Sequence, residues 1–394
     1  QQVQVTVRTI SGRITTHDGA SVAGACVSAS NGGQVVLTDP DGFYSLAVPD
    51  GWNGTVTPAK TGYWFSTPTR TYSNITVDQT DQDFTASTFT DAGAVLTGVA
   101  DARLAWGDYD GDGDLDLAVA GRWLGNYSTR VYRNTKGAFT DIGASMTGVS
   151  DGSLAWGDYD NDGDLDLLVA GMCNGGPFIG LYENDSGTFT RVWPCDLPAI
   201  SACAVAWVDY DNDGDLDVAL AGSNINGTRI TKIYRNTEGT FADSGAVLPG
   251  ASDSGMAWGD YDNDGDLDLA LSGYGPGSKI YRNDGGMFAD ISADLQSVSN
   301  GSLDWGDYDN DGDLDLLLTG YYYDGSRHYI CRVYRNDDGT FVDANASIRG
   351  VSGGVAAWGD WDNDGDLDLA ITGAPYLDGR CSVIYRNDDG VFRE

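Results

Sequence analysis

Basic residues are scarce in this chain. Among 394 residues, 22 Lys and Arg stand against 59 Asp and Glu, a net charge of −37. Nucleic acid and anionic membrane surfaces are polyanions and repel such a protein, so neither is an expected partner. No apolar run approaches the ~20 residues that a membrane-crossing helix needs, so no membrane insertion is expected. No basic-then-apolar leader opens the chain, and Gln1 fits the mature N-terminus left by a signal peptidase. There are two histidines, His17 and His328, and neither belongs to a recognisable Ser or Cys nucleophile motif. The six cysteines include no CxxC pair, which disfavours structural zinc and thiol redox chemistry. Their even number fits disulfides as well as free thiols. Cys195 and Cys203 are close enough in sequence to staple one connection, Cys331 and Cys381 occupy similar places in consecutive repeats, and Cys26 and Cys173 stand apart. No helix-length amphipathic stretch occurs.

What the chain does contain excludes disorder. Apolar residues make up 41%, and 11 Trp, 21 Tyr and 11 Phe are too much aromatic surface to leave in water. From Phe89 onward a unit recurs about every 50 residues, marked by Trp106, Trp156, Trp207, Trp258, Trp305 and Trp358. Each unit holds four short apolar or alternating runs separated by Gly, Asn and Asp. In the second these are Ser153–Gly157, Leu165–Ala170, Phe178–Glu183 and Thr188–Val192. Runs this short with such punctuation are strands, and four per repeat at this period is the pattern of a propeller blade. The expected fold is therefore all-β: a small N-terminal β-sandwich over residues 1–87, then a propeller of four-stranded blades over 88–394. A strand at Phe89–Leu96 is expected to complete the last blade and close a ring of six; seven is the alternative, should further repeats follow Glu394.

Residues 1–87 lack the repeat. Val3, Val5 and Val7 alternate in a half-buried strand pattern over Gln2–Arg8. Turns are expected at Asp18-Gly19, Asn31-Gly32-Gly33 and Asp39-Pro40-Asp41-Gly42, with strands over Val22–Ser28, Phe43–Val48, Thr55–Pro58 and Ser73–Phe84, a small seven-strand-like sandwich.

The surplus negative charge is concentrated in one nonapeptide, Asp-x-Asp-x-Asp-Gly-x-x-Asp, present once in every repeat. The candidate metal ligands are Asp108, Asp110, Asp112, Asp114 and Asp116; Asp158, Asp160, Asp162, Asp164 and Asp166; Asp209, Asp211, Asp213, Asp215 and Asp217; Asp260, Asp262, Asp264, Asp266 and Asp268; Asp307, Asp309, Asp311, Asp313 and Asp315; and Asp360, Asp362, Asp364, Asp366 and Asp368. Positions 1, 3, 5 and 9 offer carboxylates and position 7 a backbone carbonyl. Two carboxylates ~4–5 Å apart repel by roughly 3–4 kcal/mol at an effective dielectric near 20. A hard divalent cation turns that repulsion into attraction, and the Gly at position 6 permits the sharp turn. Oxygen-only ligands and a flexible loop select Ca²⁺; Mg²⁺ demands a stricter octahedron, and Zn²⁺ prefers His or Cys. Six Ca²⁺ sites are expected. At a site affinity of ~0.1 mM, ~1–2 mM calcium stabilises by about 1.5 kcal/mol per site, which places the protein outside the cell.

These repeats resemble FG-GAP/VCBS-type repeats, as in the integrin α-chain propeller, over residues 89–394. The nonapeptide carries the resemblance, together with Thr372-Gly373-Ala374-Pro375. Departures are Trp-Gly where the family has Phe-Gly, a Gly-Ala-Pro confined to the last repeat, and a count of six where integrins have seven. The resemblance implies calcium held structurally. Residues 11–87 resemble the carboxypeptidase regulatory-like (transthyretin-like) sandwich through Ser11-Gly12-Arg13-Ile14, Val22–Val27 and Thr38–Leu46, a non-catalytic module of secreted proteins.

No residue set marks a catalytic centre, so an enzyme is not expected. The repeats differ mainly at Arg122–Thr129, Met172–Phe178, Asn224–Thr228, Tyr274–Gly277, Tyr321–Tyr329 and Ala374–Arg380, which should cluster on one propeller face. The Ala-Trp-Gly-Asp tryptophans read as blade core, and the Tyr-Arg-Asn triplets as ties between strand and turn. Sequons at Asn53, Asn74, Asn126, Asn184, Asn226 and Asn345 fit a secreted glycoprotein. The expected function is an extracellular structural or adhesive module, with residues 1–9 free to pair with a neighbouring copy in a filament. The alternative is a lectin binding surface glycans through Tyr321, Tyr322, Tyr323 and Tyr376.

Overall fold

The computed structural model describes residues 6–17, 19–60, 62–67, 69–88, 93–192, 196–362, 364–375, 379–388 and 390–393. The chain divides into two compact units, residues 1–92 with Asp360–Gly365 and residues 93–359 with 366–394.

The N-terminal unit is two four-stranded sheets around one core. Strands β1 (Val7–Thr16), β4 (Phe43–Pro49), β6 (Trp64–Phe65) and β8 (Phe84–Ser87) form one sheet in the order β4-β1-β8-β6. Strands β2 (Cys26–Ala29), β3 (Val35–Leu37), β5 (Trp52–Ala59) and β7 (Arg70–Ile75) form the other, in the order β3-β2-β5-β7. Alternation puts Ile10 and Ile14 of β1 inward with Tyr44, Leu46, Val48, Val56 and Phe84. Two strands exceed the expectation, β3 and β6, and the expected strand over Ser73–Phe84 breaks into β7 and β8. The turn at Asp39–Gly42 forms as read: the Asp39 carboxylate accepts the Asp41 and Phe43 amides, and Gly42 takes a left-handed φ of 74°. Residues 1–5 of the segment expected to pair with another copy lie outside the described residues. Val7, Arg8 and Thr9 pair with Pro49, Val48 and Ala47 of their own unit, so this part of the segment is already engaged.

The C-terminal unit holds six four-stranded antiparallel sheets, each a simple meander. Their innermost strands are Ala100–Gly107, Ser150–Gly157, Ser201–Val208, Ser252–Gly259, Leu303–Gly306 and Ala356–Gly359. Each touches the innermost strand of the next sheet in order, the arrangement of propeller blades, numbered 1 to 6 here. The second strand of every blade starts on the ninth residue of the nonapeptide: Asp116, Asp166, Asp217, Asp268, Asp315 or Asp368. In blades 1 to 5 its next residues read Leu/Val/Ala without alternation and are buried throughout, because neighbouring blades cover both faces of the sheet.

The blade interface repeats. Trp156 leans over Gly107 of the preceding blade, Trp207 over Gly157, Trp305 over Gly259 and Trp358 over Gly306. Glycine is needed there because a Cβ on Gly157 would sit 2.6 Å from Trp207 Cδ1. The tryptophans are thus packing residues between blades, as expected. Trp106 has no preceding partner of this kind and is 55% exposed.

The expected closing strand at Phe89–Leu96 is not found: residues 93–96 are not a strand, and 89–92 lie outside the described residues. Blade 6 takes its outer strand from its own hairpin, Val391–Arg393 on Cys381–Asp388. A tight local turn, with Gly390 at φ 82° and its amide on Asn387 Oδ1, needs far less loop-closure entropy than a strand some 300 residues upstream. The cysteine bridges are absent among the described residues. Cys331 and Cys381 share one apolar cluster as thiols, and Cys203 is a buried thiol whose expected partner Cys195 lies outside the description.

Candidate metal centre

Each nonapeptide lies between the first and second strands of its blade, and the same two bonds recur in all six. The position-1 carboxylate turns back into its own loop: its two oxygens accept the amides of positions 5 and 6, from Asp112 and Gly113 on Asp108 at 3.1 and 2.9 Å through to Asp364 and Gly365 on Asp360 at 3.1 Å each. Position 4 takes a left-handed backbone, as Gly111 at φ 68° and as Asn161, Asn212, Asn263 and Asn310 at 57–60°. Asn and Gly tolerate that conformation best, which accounts for their use there. The position-9 carboxylate is buried and accepts two amides. Asp217 takes the Asn236 amide at 2.7 Å and the Tyr210 amide at 3.3 Å.

This folding gathers carboxylate oxygens. Those of Asp108, Asp110 and Asp116 lie within 4.8 Å of one another, as do those of Asp158, Asp160 and Asp166, of Asp209, Asp211 and Asp217, of Asp260, Asp262 and Asp268, and of Asp307, Asp309 and Asp311. The electrostatics are those of a site short of positive charge. Asp166, Asp217, Asp268 and Asp315 are pushed up to about 7 by burial; two backbone amides oppose the shift and like-charged neighbours add to it. Asp160, Asp211, Asp262 and Asp309 are also raised, again by burial first and then by the neighbouring aspartate. Most tellingly, Oδ1 of Asp110, Asp211, Asp262 and Asp309 is buried with no hydrogen-bond partner. A buried carboxylate oxygen left this way is costly unless a cation completes it. The residues present therefore fit a hard divalent ion.

Two of the expected ligand positions have other engagements. The position-5 carboxylates Asp112, Asp162, Asp213, Asp264 and Asp311 accept the amide two residues on. The position-7 side chains stitch loops together: Asn161 donates to Asp215, Asn212 to Asp266, Asn263 to Asp313 and Asn310 to Asp366, each in the following blade. Position 7 is left with its backbone carbonyl to offer. Basic side chains neutralise part of the field in two blades, where Arg133 pairs with Asp110 and Arg235 reaches Asp211 and Asp213 at 3.1 and 2.7 Å.

The Tyr-Arg-Asn triplets do more than the sequence indicates. Asn236 is fully buried and its amide donates to Tyr159 O of the preceding blade at 2.6 Å and to Leu216 O at 3.0 Å, while its Oδ1 accepts the Gly239 amide at 2.9 Å. Asn283, Asn336 and Asn387 repeat this link to Tyr210, Tyr261 and Tyr308, and Asn184, in the Tyr-Glu-Asn of blade 2, makes it to Tyr109. The triplet tyrosine hydroxyl holds the inter-blade segment, as Tyr182 does with the Thr147 amide at 2.7 Å. No spacing rule foretells the asparagine links, because each pair lies 73–79 residues apart.

The variable segments lie between the second and third strands of each blade. In a meander those hairpins sit on the face opposite the Asp loops, as expected. Tyr321–Tyr329 carries the richest chemistry. Tyr322 stacks on His328 with centroids 4.8 Å apart, and Tyr323 stands 73% exposed; Tyr376 lies outside the described residues. Ser326 and Asp324 both meet the Nε2 of His328, at 2.8 and 2.9 Å. Sharing one nitrogen, they form no relay across the ring. His17 lies exposed in a turn. Of the sequons, Asn53, Asn74, Asn126, Asn226 and Asn345 are exposed, whereas Asn184 is one of the buried blade links.

Comparison with known proteins places this geometry. The chain matches the FG-GAP-like repeat model over residues 108–169, 158–220, 209–271 and 260–318, more than half its length. No curated protein matches it in sequence. Among solved structures it is similar to an Agrocybe aegerita lectin described as recognising non-reducing terminal N-acetylglucosamine, at 18% identity over 74% of this chain and 79% of that one, with a TM-score of 0.50. It is also similar to the Aleuria aurantia lectin, described as a six-bladed β-propeller with fucose recognition, at 12% identity over 73% and 96% and a TM-score of 0.44. At such identities the likeness is one of fold. Four overlapping matches, each running from one Asp loop through the next, make the chain a member of the FG-GAP-like repeat proteins.

Proposed function

We propose that this protein is an extracellular structural or adhesive module whose propeller is locked by calcium. The carrying observation is the buried, unpartnered Oδ1 of the position-3 aspartate in four loops, at the centre of a three-carboxylate cluster. In each loop the aspartates at positions 1, 3, 5 and 9 and the carbonyl at position 7 would hold the ion. Bound calcium supplies compensating charge that rigidifies the hairpin. Six dications would offset 12 of the 37 surplus negative charges. Sites of this kind fill at the millimolar calcium found outside cells. The test is elemental analysis of protein and dialysate after equilibrium dialysis against 2 mM calcium. Near six calcium ions per chain supports the reading; none contradicts it.

A second reading, carbohydrate binding, is favoured by one specific observation. On the face opposite the Asp loops, Tyr274 and Tyr321 from adjacent blades join through their hydroxyls at 3.0 Å, and Tyr274 is exposed. Rings presented this way suit the apolar face of a sugar. A glycan array probed in 2 mM calcium tests it, and no binder on the array counts against it.

A further inference from the structure

We propose that Arg229, Tyr274, Tyr321 and Arg327 form one subsite for an acidic saccharide, with the sugar ring on the tyrosines and its carboxylate or sulfate on the guanidiniums. The proposal rests on the carbohydrate reading and specifies its ligand class. Three observations support it.

The residues come from three blades and form a continuous row. Arg229, at the start of the third strand of blade 3, lies 5.7 Å from the centroid of the Tyr274 ring of blade 4. Tyr274 reaches Tyr321 of blade 5 through the hydroxyls, and Arg327 lies 4.6 Å from the Tyr321 centroid. Tyr329 tilts against Tyr321 at 6.3 Å and steadies the Arg327 end.

Both guanidiniums are exposed, and among the described residues neither has a carboxylate within 4.0 Å. Acids outnumber bases 59 to 22 in this chain, and most of its other arginines find an aspartate. Arg229 and Arg327 instead lie against tyrosine rings. The equivalent hairpin of blade 1 makes the contrast: Arg122 likewise lies over Tyr127, but it stands 3.9 Å from Asp151 and is already neutralised.

The Tyr321 hydroxyl stays protonated. Tyr321 is pushed up to about 12, first by its bond with Tyr274 and then by burial, so it remains a donor across the physiological range. The guanidiniums offer donors only and each tyrosine hydroxyl both donates and accepts, so the row can donate to anionic oxygens, which only accept. One acid faces the row: Asp253, whose negative charge acts on Tyr321 and is itself offset by Arg229. It opposes an anion and gives the test a variant of opposite sign.

The experiment is calorimetric titration of the full chain in 2 mM calcium with three hexasaccharide probes: hyaluronan (carboxylated), a heparin fragment (sulfated) and chitohexaose (neutral). The proposal expects at least one acidic probe to bind and chitohexaose to bind at least about tenfold more weakly. Arg229→Gln with Arg327→Gln should reduce acidic binding at least about tenfold without shifting Tm, and Asp253→Asn should strengthen it two- to threefold or so. The carboxylated and sulfated arms identify which anion is preferred. Equal binding of chitohexaose, lost in Tyr274→Ala, would overturn the acidic assignment while leaving carbohydrate binding intact. Absence of binding by all three probes, or acidic binding unchanged in the double arginine variant, would overturn the subsite altogether.

Discussion

Replacing Asn236 by alanine tests whether the triplet asparagine is the clamp between blades. Its side chain is fully buried and makes three hydrogen bonds, to Tyr159 O, to Leu216 O and from the Gly239 amide. Alanine removes all three and leaves a carbonyl of the preceding blade, a carbonyl of its own loop and one amide without partners. At ~1 kcal/mol per lost bond the cost is about 3 kcal/mol, and more if no water enters. Asn134 is the internal control. It occupies the same place in blade 1, where it is only half-buried and bonds Leu115 O at 2.9 Å and the Gly137 amide at 2.8 Å, with no link to another blade. Water can replace those partners, so Asn134→Ala should cost about 1 kcal/mol. The assay is urea unfolding of both calcium-loaded variants against the parent, at matched m-value. Equal costs for the two variants would refute the clamp, since they differ chiefly in the inter-blade bond.

Five further outcomes are expected. Asp262→Asn, at one of the orphaned position-3 carboxylates, should lower the calcium stoichiometry by one while the other sites fill, as read by equilibrium dialysis. Calcium affinity should weaken as pH falls through about 7, where Asp166, Asp217, Asp268 and Asp315 take up protons that compete with the ion. The same raised values set the metal-free trend: folded chains hold protons that unfolded chains release, so stability without calcium is fullest below the ordinary carboxylate range and declines as pH rises through about 7, which thermal melts in chelator at pH 5 and 8 would show. Gly157→Ala should cost about 1–3 kcal/mol in the same urea assay, because the new Cβ collides with Trp207. In a eukaryotic secretory host, glycopeptide mapping should find Asn126 or Asn226 modified and Asn184 bare, because its side chain is buried between blades.

The legible part of this protein was the part written locally. Each Asp loop is closed by bonds within six residues, so its nine-residue pattern announced the cluster at Asp209, Asp211 and Asp217 without knowledge of the fold. Blade strands were legible for a related reason, being short runs between left-handed turn residues such as Ser186 and Gly187. The clamps were not, since Asn236 and Tyr159 meet only when two blades stack. The side chains at position 7 were assigned only a carbonyl, yet the Asp215 carboxylate serves Asn161 of the preceding loop, another contact made only across blades. Strands Val35–Leu37 and Trp64–Phe65 went unread because two or three residues carry no period. Phase alone suggested a closing strand at Phe89–Leu96, and a local hairpin supplied the outer strand Val391–Arg393 instead.

The central claim is that the acidic surplus exists to hold hard cations between the first two strands of each blade. Titrating calcium into chelator-stripped protein while following Tm tests it most directly. The account predicts a rise in Tm that continues through the millimolar range and a calorimetric stoichiometry near six. A Tm unchanged between chelator and 2 mM calcium would contradict it.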